Sequence, residues 1–153
     1  MDKDYHHLLK QTEDLIEDRK SRESCLAEIS RLLADTFSKF DWVGFYLVDG
    51  TQENELVLGP YVGDPTEHTR IAFGQGICGQ AADTKATFVI ADVNQEDNYL
   101  SCSPSVKSEI VVPIFKDNDI VGELDIDSHT INAFTEEDRA FLEEVCQRLS
   151  VLF

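Results

Sequence analysis

At 153 residues, 42% of them apolar, the chain is long enough for a single domain spanning 1–153 that buries its core without disulfide help. Thirty acidic against 13 basic residues leave a net charge of −17, which repels nucleic acid and anionic membranes over most of the surface. No stretch approaches the roughly 18 apolar residues of a membrane span, and the start Met-Asp-Lys-Asp-Tyr-His-His lacks the basic-then-apolar order of a signal peptide, so a cytoplasmic location with reduced thiols is expected.

From Asp4 to Asp18, Leu8, Leu9, Thr12, Leu15 and Ile16 recur at helical spacing and predict an amphipathic helix, with His6 and His7 on its exposed start. A second helix is expected from about Glu23 to Phe40, with Cys25, Ile29, Leu32, Leu33 and Phe37 on its apolar stripe; Cys25 reads as a small core residue. The period then changes to two. Trp42 to Val48 is aromatic and β-branched, a strand with Trp42, Gly44 and Tyr46 on one face and Val43, Phe45 and Leu47 on the other. Asp49 to Asn54 reads as a hairpin turn, Glu55 to Tyr61 as the returning strand, Gly63-Asp64-Pro65 as a turn and Arg70 to Phe73 as a short strand.

Gly74-Gln75-Gly76-Ile77-Cys78-Gly79 matches a dinucleotide phosphate loop, but that loop belongs to a βαβ unit, and antiparallel hairpins are expected on both sides here. The glycines fit a tight strand-to-helix turn that leaves Cys78 at a helix N-terminus, where the helix dipole would favour its thiolate. Thr87 to Ile90 is a short strand. A polar, turn-rich loop carrying Cys102 leads through Ser108 and Glu109 into the apolar run Ile110 to Phe115, a strand buried on both faces. After a turn at Lys116 to Asp119, Ile120 to Ser128 alternates: Ile120, Gly122, Leu124 and Ile126 face a core, while Glu123, Asp125 and Asp127 stack on the other side. Thr135, followed by Asp138, caps a terminal helix with Phe141, Val145, Leu149 and Leu152 as its stripe and Cys146 beside it. Two helices, an antiparallel sheet with a helical insert and a closing helix make an α+β layered domain.

The four cysteines form no CxxC pair and have no histidines at zinc spacing, so no structural metal is expected. Cys78 and Cys102 remain for chemistry. They could cycle between dithiol and disulfide if the fold brings their Cα atoms within about 7 Å; two unrelated surface thiols is the plain alternative. Stacked like charges on Glu123, Asp125 and Asp127, with Glu109 on the neighbouring strand, suit a bound cation, a metal or a shared proton, unless the face is simply solvated. Trp42 and Tyr46 offer an aromatic surface for a soft sulfur group or a cation.

Trp42-Val43-Gly44-Phe45-Tyr46, Leu56-Val57-Leu58-Gly59-Pro60, Gly76-Ile77-Cys78-Gly79, Ser108-Glu109-Ile110-Val111-Val112-Pro113 and Leu124-Asp125-Ile126-Asp127-Ser128 resemble, in order and over nearly the whole chain, the motifs of the free methionine-(R)-sulfoxide reductases. These are single-domain GAF proteins that act on the free amino acid. The resemblance implies a central antiparallel sheet with helices packed on one face and a ligand pocket on the other. It also implies reduction of free L-methionine (R)-sulfoxide without a cofactor, recycling by a thioredoxin-type reductant, and a homodimer. On the same footing Cys102 matches the catalytic cysteine and Cys78 a resolving one. Trp42 and Tyr46 match the pocket aromatics, and Glu109, Asp125 and Asp127 the carboxylates that hold the substrate amine and supply protons. This sequence departs from the pattern in three places. His68 stands where a third cysteine is usual, the Leu100-Ser101-Cys102 wording differs, and Glu123 accompanies the aspartates. A non-catalytic GAF sensor for a small cationic or amino-acid ligand is the competing expectation, and a divalent-metal site on Glu123, Asp125 and Asp127 a weaker one.

Overall fold

A computed structural model describes residues 3–51, 54–100 and 103–153. Helices α1 (Lys3–Glu17) and α2 (Arg22–Thr36) lead into strands β1 (Trp42–Val48), β2 (Glu55–Val62) and β3 (Arg70–Ala72). The short helix α3 (Gly76–Thr84) precedes β4 (Phe88–Ile90), β5 (Ser108–Lys116), β6 (Asp119–Ser128) and the closing helix α4 (Glu136–Leu149). The six strands form one sheet in the order β3-β2-β1-β6-β5-β4, and every pairing is antiparallel.

Local chemistry accounts for the boundaries. Ser21 caps α2 and Thr135 caps α4, each in a reciprocal box with the residue three positions on, Ser24 and Asp138. Helix α2 stops at Thr36, four residues short of the expected Phe40, because Phe37 is already extended at φ −110° and ψ 108° and Phe37 and Phe40 stack on each other at 4.5 Å. A left-handed Lys85 closes α3.

Alternation along the central strands sorts side chains into two layers. Val43 and Phe45 of β1, Ile110, Val112 and Ile114 of β5, and Leu124 and Ile126 of β6 meet α1, α2 and α4 in the larger core. Cys25 and Cys146 belong to that layer as packing residues, fully buried or nearly so, with their thiols toward the carbonyls of Leu15 and Val112. Trp42, Tyr46 and Val111 point the other way, toward Ile71, α3, Ile90, Val93 and Val106. Three helices thus cover one face, and α3 with the long loops covers the second. The expected strand at Ile110 to Phe115 is buried on both faces as far as Ile114, while Phe115 and Lys116 are exposed at the hairpin.

Candidate active site

The second layer is unlike a normal core because four carboxyl groups lie in it. Register places Glu109 of β5 directly across from Asp127 of β6, and Asp125 and Glu123 follow on the same face of β6. Glu123 is fully buried, and Glu109, Asp125 and Asp127 are no more than 6% exposed. Both oxygens of Glu123, and one oxygen each of Asp125 and Asp127, find no hydrogen-bond partner among the described residues. A solvated sheet face is therefore ruled out. Burial drives the pKa of Glu109, Glu123 and Asp127 well above the ordinary carboxyl range and that of Asp125 upward, and the charge of Asp125 pushes the other three further. Such a row holds protons that a solvated one would have lost.

Cys78 sits in the first turn of α3, buried against this row. One donor atom each from Cys78, Glu109 and Asp125 fall within 4.8 Å of one another. Three donors this close could take a cation, but neither Glu123 nor Asp127 joins the trio, so the set differs from the Glu123, Asp125 and Asp127 face expected from alternation. The helix-dipole expectation for Cys78 is corrected here. Its thiol is pushed well above the usual cysteine value, first by burial and then by Asp125, Glu123, Glu109 and Asp127. Position at a helix start counts for less than four acidic neighbours in a dry site.

The aromatic wall comes from β1 and β2. Trp42 stacks on Tyr61 at 5.2 Å and lies 6.5 Å from Tyr46. Gly44 between them leaves the room, since a Cβ there would come within 2.6 Å of the Trp42 ring and 2.5 Å of Tyr61 Cβ. The indole N–H of Trp42 donates to Asp64 O at 3.0 Å and the Tyr46 hydroxyl to His68 O at 2.8 Å, which ties the β2–β3 loop over the site. Two narrow hollows, each with room for no more than about one water molecule, open beside the carboxyl row. One, of about 20 Å³, is bounded by Tyr46, His68, Cys78, Leu100, Glu109 and Asp125. The other, also of about 20 Å³, is bounded by Trp42, Asp64, Ser103, Val106, Asp127 and His129. Cys102 lies outside the described residues; Leu100 on one side of it and Ser103 on the other line these two hollows.

Tyr61, His68 and Asn98 belong to this neighbourhood and are not evident as site residues from the sequence, although His68 stands out as a departure in wording. Asn98 gives no signal beyond its place in an acidic loop. Its Oδ1 accepts from Gly76 N at 2.9 Å and its Nδ2 donates to Gly74 O at 2.7 Å, clamping the left-handed glycine turn (φ +88° and +64°) to the loop that leads to Cys102. The Asn98→Ala protein should lose about 1–2 kcal/mol and melt several degrees lower, read by thermal denaturation; an unchanged melting temperature would deny the clamp any part in holding α3.

A GAF domain model matches residues 21–153. The chain belongs to the GAF family. Free methionine-R-sulfoxide reductase of Escherichia coli K12 is 38% identical over 124 residues, covering 81% of this chain and 73% of that protein. GAF domain-containing protein A of Dictyostelium discoideum is 41% identical, covering 95% and 89%. The crystal structure of free methionine-R-sulfoxide reductase from Neisseria meningitidis in complex with its substrate superposes with a TM-score of 0.91 at 41% identity, covering 97% of this GAF chain and 87% of that one. These relatives bear out the motif resemblance and the GAF architecture. Among the described residues, no helix of this GAF domain is long and apolar enough to cross a membrane.

Proposed function

We propose that this GAF protein reduces the free (R)-sulfoxide of methionine with its own thiols. The observation that carries the reading is the buried group of Glu109, Asp125 and Asp127 on the sheet face that also bears Trp42 and Tyr46, with Cys78 packed on it from α3. A zwitterionic amino acid brings an ammonium that neutralises part of such a row, and its sulfur end suits an aromatic wall. Asp125, whose carboxylate is favoured by hydrogen bonds from Glu109 and Cys78, is the natural counter-ion. Glu109 and Asp127, held neutral by burial and by the charge of Asp125, are the proton donors.

In the first half-reaction the Cys102 thiolate attacks the sulfoxide sulfur while Glu109 or Asp127 protonates the oxygen. The sulfur–oxygen bond of the substrate and the transient sulfur–sulfur bond then break as the oxygen passes to Cys102, giving methionine and a sulfenic acid. In the second, the Cys78 thiol displaces that oxygen as water and forms the Cys78–Cys102 disulfide. A thioredoxin-type dithiol returns two electrons and both thiols, which requires a reducing compartment such as the cytoplasm. Loop residues Leu100 and Ser103 at the two hollows support a Cys102 that acts there. A homodimer is part of this reading by family resemblance.

A coupled assay with each free epimer, thioredoxin and reductant tests the proposal. Methionine should form from the (R)-sulfoxide alone; no methionine from either epimer would refute it. His68 in place of the third cysteine favours a second reading, a sensor that binds without turnover. Calorimetric binding of methionine sulfoxide with no methionine released would select that one.

A further inference from the structure

The sequence holds no cysteine or histidine pair at zinc spacing, yet the fold gathers three donors from separate elements, Cys78 from α3, Glu109 from β5 and Asp125 from β6. One ligand atom of each lies within 4.8 Å of the other two, and all three residues are buried. All three border the same hollow of about 20 Å³, which has room for about one water molecule. Asp125 is 3% exposed, and one of its oxygens has no hydrogen-bond partner among the described residues. Such an orphaned buried oxygen is unusual in a native core and calls for a partner. The residues across from Asp125, Gly44 on β1 and Val111 on β5, carry no polar side chain that could supply one. Positive charge is missing too. Among the described residues that border the hollow there is no lysine or arginine, while Glu123 and Asp127 flank Asp125 on its own strand face.

We infer that Cys78, Glu109 and Asp125 form a binding site for a thiolate-preferring divalent ion of the zinc class. The donor set selects the ion. Magnesium and calcium ask for six or more oxygen ligands, and two carboxyls with a sulfur in a one-water hollow supply neither the number nor the type. Zinc takes four donors in a tetrahedron, with sulfur at about 2.3 Å and oxygen at about 2.0–2.2 Å, which sets neighbouring donors about 3.3–3.6 Å apart. Donors already within 4.8 Å need to close by no more than about 1.5 Å to reach that spacing. The hollow keeps the fourth position for a single water. The ion's two charges take the place of protons on the thiol and the carboxyls, which leave for solvent, since a zinc-bound thiol is deprotonated outright. Binding stands apart from the reductase reading, but on that reading it has a consequence. An ion here takes up the disulfide-forming sulfur, the proton donor Glu109 and the counter-ion Asp125 together, so zinc should hold the enzyme inactive until a chelator removes it.

The test uses the reduced full-length protein and zinc itself, read by competition with a chromophoric chelator, with cobalt(II) as the spectroscopic stand-in. One zinc should bind per chain. Cobalt should show a sulfur-to-metal charge-transfer band and the intense visible bands of a tetrahedral site. Cys78→Ser should erase the charge-transfer band. Cys78→Ser and Asp125→Asn should each weaken zinc binding at least about a hundredfold, the upper range for loss of even an outer-shell partner. Cys146→Ser, whose thiol lies across the sheet, should bind zinc as the parent does. A reduced parent that binds no zinc, affinity left intact by either site variant, or zinc displaced by an equal concentration of magnesium overturns the inference. Should Cys78→Ser fail to fold, the nearly isosteric Asp125→Asn and Glu109→Gln are put through the same competition, with the same outcomes deciding. Methionine release measured beside binding keeps the two readings apart. A parent that binds zinc but releases no methionine when zinc-free refutes the reductase reading alone, whereas a parent that releases methionine and binds no zinc refutes this inference alone.

Discussion

Cys102→Ser should release no methionine, and Cys78→Ser should release one equivalent per chain and then stop. The two sulfurs act in different half-reactions, so their losses have different consequences. Without the Cys102 thiolate nothing attacks the sulfoxide. The remaining thiols cannot substitute: Cys78 is held as a thiol by burial and its acidic neighbours, while Cys25 and Cys146 lie in the helical layer on the far side of the sheet, hydrogen-bonded toward Leu15 and Val112 carbonyls. Burial raises the pKa of Cys25 and Cys146 and keeps them as thiols. Without Cys78 the first half-reaction is intact, and the sulfenic acid waits for a thiol that a serine hydroxyl cannot replace. Quantifying methionine against enzyme in the absence and presence of thioredoxin distinguishes the cases. Unimpaired thioredoxin-dependent cycling by Cys78→Ser would remove Cys78 from the scheme.

Glu109→Gln should lower the rate of methionine release by about 10²–10⁴-fold while making the protein more stable, increasingly so as pH rises. A carboxyl whose folded pKa is raised keeps its proton in the native chain after the unfolded chain has lost it. Between the ordinary value of 4.5 and the raised one, the native state binds more protons, so stability falls as pH rises through that window. Glutamine carries no such penalty, and its amide still offers hydrogens to Asp125 and Asp127. The gain should be absent in acid, where both proteins are neutral at position 109, and reach about 1–3 kcal/mol above the window. For 153 residues that is roughly 2–4 °C in melting temperature per kcal/mol. The parent enzyme should lose its first half-reaction on the alkaline side, as the donor deprotonates. Melting curves at several pH values, beside single-turnover rates, decide it; a Gln variant that is less stable at high pH would mean that Glu109 is not held neutral. The exchange of stability for activity is the usual condition of a functional site.

The four buried carboxyls also say why the fold was easy to read and the site only partly so. Strand alternation put Leu124 and Ile126 on one face and Glu123, Asp125 and Asp127 on the other, and the structure has them so. The capping residue Thr135, the packing roles of Cys25 and Cys146 and the glycine turn into α3 were equally legible. Each depends on side chains a few positions apart, which helical and strand geometry alone bring to a common face. Motif resemblance carried the family and the positions of Trp42, Tyr46, Glu109, Asp125 and Asp127.

What a strand face meets is a different matter. Whether the acidic face of β6 was wet or dry depended on α3 and on Val93, Leu100 and Val106 packing over it from distant parts of the chain. The same closure turned Cys78 from a thiol expected to ionise easily into one held well above its usual pKa, and brought Asn98 onto the glycine turn and His68 against Tyr46. Local sequence determines which side a group faces, because backbone periodicity is short-ranged. Only tertiary packing determines the dielectric and the charged neighbours that a group finds there, and those set its proton affinity and hence its chemistry.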